Sequence, residues 1–172
     1  MANTDIFLKP GDWFFGKTQG TATTILGSCV SLVLWQPERK LIGISHALLP
    51  HRPSATSTTG LSARFADEVV LLLSREITKH QLKPMDFQAK LFGGGDMFCF
   101  ERMHDPVGEK NIRAFSRMLN ELDVDIVQSD LGGQLYRKLT ICMATGQVEV
   151  KCSPVNCFEL VAAAEKTHGV PH

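Results

Sequence analysis

The stretch Thr23–Trp35, TTILGSCVSLVLW, sets a cysteine directly after a glycine-serine turn, at the point where a strand begins. Val30–Trp35 alternates and is rich in β-formers, which predicts a strand. The charged turn Gln36–Lys40 then leads into Leu41–Pro50, LIGISHALLP, whose first half reads as the returning strand of a hairpin. That hairpin carries His46 back toward Cys29. Two readings of Cys29 follow. Free cysteine is among the most buried residue types and serves as small core filler. A thiol on a tight turn beside a base is equally the arrangement of a nucleophile.

Composition bounds the rest. The 172 residues suit one domain with a sizeable core, here taken as 1–172. Apolar residues make up 44% and charged residues 21%, as in ordinary globular proteins. Eighteen basic residues balance eighteen acidic ones, so the broad cationic field of a nucleic-acid or anionic-membrane binder is missing. The first twenty residues lack a basic segment followed by an apolar run, and no stretch approaches the ~18–20 apolar residues of a membrane span. The expectation is a cytoplasmic protein without membrane insertion. The five cysteines, an odd number spread along the chain, fit reduced thiols better than a disulfide framework.

Further along, His51–Gly60 is polar, with Pro and Gly, and reads as a loop. Apolar residues Phe65, Val69, Leu72, Leu73 and Ile77 recur at helical spacing within Ser62–Lys79. A strand is expected near Phe87–Phe92, ending in Gly93–Gly95. A second amphipathic helix, from about Glu109 to Leu122, would bury Ile112, Phe115, Leu119 and Leu122. After it come a strand, a turn at Asp130–Gly133 and a hairpin turning at Thr145-Gly146. Ser153 and Pro154 fit the N-cap and first position of a last helix that Gly169 could end. Strands and helices are mixed without regular βαβ alternation, which predicts a single-domain α/β or α+β protein.

A catalytic thiol needs a group to take its proton, and His46 is the candidate. The turn Gly27-Ser28-Cys29 offers backbone N–H groups at Ser28 and Cys29 for an oxyanion. The hydroxyls of Thr23 and Thr24 are near enough in sequence to orient the imidazole. Zinc on Cys152, Cys157 and His168 is discounted, because three ligands at this spacing, with a helix start between them, do not make a usual site. Gly93–Gly95 lacks the Gly-Lys-Ser/Thr of a phosphate loop and reads as a tight turn. His51, His80, His104 and His172 sit in polar or terminal surroundings and read as solvated. The aromatics at Trp13–Phe15 read as a cover for the edge of the core.

LGSCVSLVLW followed by GISHALLP resembles the CheD family of bacterial chemoreceptor glutamine deamidases, whose pattern is GSCV and then G-x-x-H-x-x-LP. The likeness continues through RFADEVV, AKLFGGGDMF, VGEKNI, SDLGG and GQVEVK, from Thr23 to Lys151. The resemblance implies a three-layered α/β sandwich with mixed sheets and flanking helices. It implies a cysteine-dependent protein-glutamine glutaminase that acts on methyl-accepting chemotaxis receptors and needs no metal or organic cofactor. The family nucleophile falls on Cys29, its histidine on His46, and its threonine, six before the cysteine, on Thr23, with Thr24 adjacent. The sequence departs from the family pattern at Asp96, after Gly95, and at Leu135-Tyr136. In some systems the family has a CheC-type phosphatase as partner. Two other classes stay open: a non-catalytic module binding receptors or that phosphatase, and a thiol protease or amidase on other substrates.

Overall fold

The computed structural model describes residues 3–54, 60–98 and 105–156. The most apolar strand organises them. Strand β4 (Val30–Gln36) is buried at every residue, the pattern of a strand covered on both faces. It pairs antiparallel with β5 (Leu41–Ser45) on one side and with β6 (Gln88–Gly93) on the other. Strand β2 (Trp13–Gly16) adds to β5, and β7 (Ile126–Leu131) runs parallel to β6, giving the order β2-β5-β4-β6-β7. A second sheet has the order β1-β3-β8-β9, from β1 (Ile6–Phe7), β3 (Thr21–Leu26), β8 (Leu135–Cys142) and β9 (Val148–Pro154).

Alternation along β4 then assigns the layers. Val30, Leu32 and Leu34 join a core with Val69, Leu73 and Ile77 of α1 (Ala66–Lys79) and with Phe115 and Leu119 of α2 (Val107–Glu121). Val33 and Trp35 face the other way and meet Ala22, Leu26, Leu139 and Ile141 of the second sheet. The result is sheet, sheet, helices: the mixed α/β three-layer sandwich that the resemblance implied. The apolar stripes predicted for the two helices are the faces they bury, with Leu72, Ile112 and Leu122 only partly covered.

One expectation changes. Ser153 and Pro154 do not begin a helix; they end β9, opposite Tyr136 and Leu135. Strand β9 is an edge of its sheet, where a proline's missing N–H is tolerated. Residues from Cys157 on, including Gly169, lie outside the described residues. Trp13–Phe15 is itself a strand, at the opposite sheet's edge, and Phe15 packs against the rings of His80 and Phe87.

Candidate active site

Strand β3 belongs to one sheet and β4 to the other, so Gly27-Ser28-Cys29 is the crossing between them. The three carbonyls of this crossing are all held. The Gly95 N–H donates to the Gly27 carbonyl (2.9 Å) and the Gly94 N–H to the Cys29 carbonyl (2.8 Å). The Asn111 side chain donates to the Ser28 carbonyl (3.2 Å). The glycine run that reads as a plain turn is therefore the bed of the cysteine turn. A Cβ on Gly93 would stand 2.2 Å from the Cys29 carbonyl oxygen, and φ there is +109°, so only glycine fits. No other residue among those described takes the N–H of Ser28 or of Cys29 in a hydrogen bond, while the next one, at Val30, donates to Ala47.

His46 follows β5 directly. Its N–H donates to the Asp12 carbonyl (3.0 Å), and its carbonyl accepts from Gly11 (2.8 Å). Val33 pairs with Ile44 and Val30 bridges Ala47. The same register sets Ser31 opposite His46, with Cys29 two residues earlier, just before β4. His46 is buried, and no hydrogen bond joins its Nε2 to any described residue, the Cys29 thiol included. Resting catalytic pairs are often this loose and tighten once substrate is bound.

The other ring nitrogen is engaged. Thr24 Oγ1 lies 2.8 Å from His46 Nδ1 and donates to the Leu8 carbonyl at 2.8 Å. A hydroxyl has one proton, and a carbonyl can only accept. Thr24 therefore accepts from Nδ1–H, and the neutral ring carries its proton on Nδ1 with the Nε2 lone pair free. Burial pushes His46 below its ordinary pKa, against smaller upward pulls from the Leu8 carbonyl and Asp12. Burial pushes the Cys29 thiol up, with its own N–H pulling weakly the other way. Both shifts disfavour the charged forms, the thiolate of Cys29 and the imidazolium of His46.

The hydroxyl on His46 is thus Thr24's. Ala22, Thr24 and Leu26 point into the sandwich, whereas Thr23 and Ile25 face outward; the Thr23 carbonyl serves β1 by accepting from Leu8. The family spacing pointed to Thr23 with Thr24 adjacent; the hydroxyl that meets the ring is that of Thr24, and inward alternation with Leu26 was the signal for it. Asn111 went unnoticed in the sequence. It is a polar residue on the buried stripe of α2, four before Phe115, and that mismatch was its signal.

Cys29 opens into a cavity of about 380 Å³, lined chiefly by Ser28, Leu48, Leu49, Met97, Phe98 and Val107. Asp96 also lines it, and Tyr136 packs near Gly27, so both departures from the family pattern sit at the site. Larger openings exist, about 680 Å³ beside His51, Lys110 and Arg117 and about 460 Å³ beside Lys90, Cys142 and Glu149, but Cys29 lines neither. Gly132 and Gly133 line a neighbouring hollow with Asp96 and Pro106. Among the described residues no cluster of three His, Cys, Asp or Glu could hold a metal ion; Cys157 and His168 lie outside them. His51 and His80 are exposed.

A family model described as "CheD chemotactic sensory transduction" matches residues 48–152, beginning just after His46 and including Asn111. A Chromobacterium violaceum protein named "Probable chemoreceptor glutamine deamidase CheD 1" is 39% identical over 158 residues, covering 88% of this chain and 79% of its own. A Pseudomonas syringae pv. tomato protein named "Probable chemoreceptor glutamine deamidase CheD" is 33% identical, covering 90% and 93%. A Leptospira interrogans protein, again "CheD 1", is 32% identical, covering 86% and 92%. The chain belongs to the CheD family.

Proposed function

We propose that this protein is a chemoreceptor glutamine deamidase, a protein-glutamine glutaminase in which Cys29 is the nucleophile, His46 the general base and acid, and Thr24 the orienting group. One observation carries the mechanism: Thr24 holds Nδ1–H, leaving the buried Nε2 of His46 without a hydrogen-bond partner among the described residues.

As Cys29 Sγ attacks the carboxamide carbon of a receptor glutamine, His46 Nε2 takes the thiol proton. The carbonyl oxygen becomes an oxyanion, for which the free N–H groups of Ser28 and Cys29 are the donors. The tetrahedral centre collapses, the C–N bond breaks, and the imidazolium gives its proton to the leaving nitrogen, releasing ammonia. A thioester remains. Water attacks it as Nε2 takes the water proton. The C–S bond breaks, the sulfur recovers a proton from the imidazolium, and glutamate is left on the receptor. Burial disfavours both charged forms, so in this reading proton transfer accompanies attack rather than preceding it.

This reading places the protein in the cytoplasm, where a reduced thiol persists. No helix among the described residues is long and apolar enough to cross a membrane. A CheC-type phosphatase is proposed as a second partner, to be tested by co-purification. The test of the activity is ammonia release from a purified receptor cytoplasmic fragment. Release that stops in Cys29→Ala supports the reading; no release from the parent protein removes it.

A further inference from the structure

The Ser28–Cys29 peptide is turned by one buried side chain. Asn111, fully buried on α2, donates through Nδ2 to the Ser28 carbonyl (3.2 Å) and to the Leu48 carbonyl (2.9 Å). It therefore joins the nucleophile's turn to the segment that follows His46. In a trans peptide the C=O and the N–H point in opposite directions, and the described residues contain no cis bond. Drawing the Ser28 carbonyl toward Asn111 swings the Cys29 N–H the other way, where no other described residue accepts it in a hydrogen bond. One peptide earlier, Gly95 holds the Gly27 carbonyl and the Ser28 N–H is left open in the same manner.

The amide is poorly placed for stability alone. Asn111 Oδ1 is buried with no hydrogen-bond partner among the described residues, so the side chain carries an uncompensated acceptor that an apolar residue would avoid. Its two donated bonds are what it supplies, and both go to backbone around the site.

We infer that Asn111 is a positioning residue that sets the oxyanion hole by fixing the Ser28–Cys29 peptide. The inference rests on the deamidase reading above. Asn111 touches neither the substrate carbon nor the thiol; it acts through the direction of the Cys29 N–H.

The experiment compares deamidation of a receptor cytoplasmic fragment with alkylation of Cys29 by iodoacetamide, read at that cysteine by peptide mass spectrometry. Alkylation displaces iodide at a saturated carbon and develops no oxyanion. Asn111→Leu, similar in size and without donors, should lose about 10²-fold in kcat, the scale of one oxyanion donor. Its KM and its Cys29 alkylation rate should stay within about twofold, as for an interaction made only in the transition state. Asn111→Asp keeps the shape and regains one donor when protonated, so its kcat relative to the parent should recover as pH falls. It also carries the comparison if the leucine variant does not fold. Unchanged kcat in Asn111→Leu overturns the inference. So does a parallel loss of alkylation and deamidation, or failure of both variants to fold, since each makes Asn111 merely structural. A parent protein whose Cys29 alkylates but which does not deamidate sinks the functional reading itself, a result separable from all of these.

Discussion

Thr24 lies in one sheet and His46 directly follows a strand of the other, and the 2.8 Å contact between the Thr24 hydroxyl and Nδ1 is made across the sandwich interior. Packing of the two sheets thereby sets the histidine tautomer. Thr24→Val keeps the branched shape and removes the acceptor for Nδ1–H. It should slow deamidation on the order of tenfold, the worth of one buried hydrogen bond of ~1–1.5 kcal/mol. Thr23→Val, on the outward face, should leave the rate within about twofold, since surface changes of this kind are usually small. Steady-state rates of the two variants decide it, and a larger loss at Thr23 would reverse the assignment.

The pH dependence has a definite sign. Burial holds His46 below its ordinary pKa, so the base stays unprotonated to lower pH than a free histidine at about 6.5. The acidic limb of kcat/KM should fall below that value. The folded state also binds fewer protons here than the unfolded chain. His46 therefore contributes stability that is present above the unfolded value and lost as pH falls through and below it. An acidic limb above the ordinary histidine value would contradict a His46 lowered by burial. His46→Ala should lose ~10²–10⁴-fold in turnover, the range for a positioned general base.

Thiol reactivity separates chemistry from acidity. The Cys29 thiol is pushed up by burial, whereas Cys142 is drawn down, chiefly by a hydrogen bond from the Thr145 hydroxyl. Cys152 is exposed. At neutral pH iodoacetamide should therefore label Cys142 no more slowly than Cys29, yet deamidation should fall in step with Cys29 labelling alone. Peptide mapping over a labelling time course checks both. Cys29 as the fastest thiol at neutral pH would point to a preformed thiolate.

Much of the site was legible because its parts are local. Cys29 and His46 lie on the two arms of one hairpin, and the apolar run of β4 announces a strand covered on both sides. What escaped reading depends on distant pieces. Thr23 and Thr24 both suit a strand, and only the packing of β3 against the other sheet makes Thr24 the inward one. Asn111 meets the cysteine turn through a helix that arrives from far along the chain. Ser153-Pro154 has the local chemistry of a helix start, but pairing with Tyr136 and Leu135 outweighs it.

A second interaction across the sandwich offers a stability test. Arg137 of β8, buried, reaches Asp130 of β7 at 2.9–3.0 Å and the Gly132 carbonyl at 2.7 Å. Asp130→Asn leaves the guanidinium charge buried without its counterion. The expected loss is about 3 kcal/mol, the low end for breaking a buried pair because Asp130 itself is partly in water. Arg137→Met with Asp130→Asn should cost less than Asp130→Asn alone, since the stranded charge is gone. Urea unfolding of the three proteins measures this; a harmless Asp130→Asn would show that Gly132 alone suffices for Arg137.

The most direct measurement is tandem mass spectrometry of a receptor cytoplasmic fragment after incubation with the parent protein, with Cys29→Ala and with His46→Ala. Specific glutamines should appear as glutamate with the parent protein and stay glutamine with both variants, each of which retains the parent's circular dichroism. Glutamate formation that persists in folded Cys29→Ala would contradict a thioester route through Cys29.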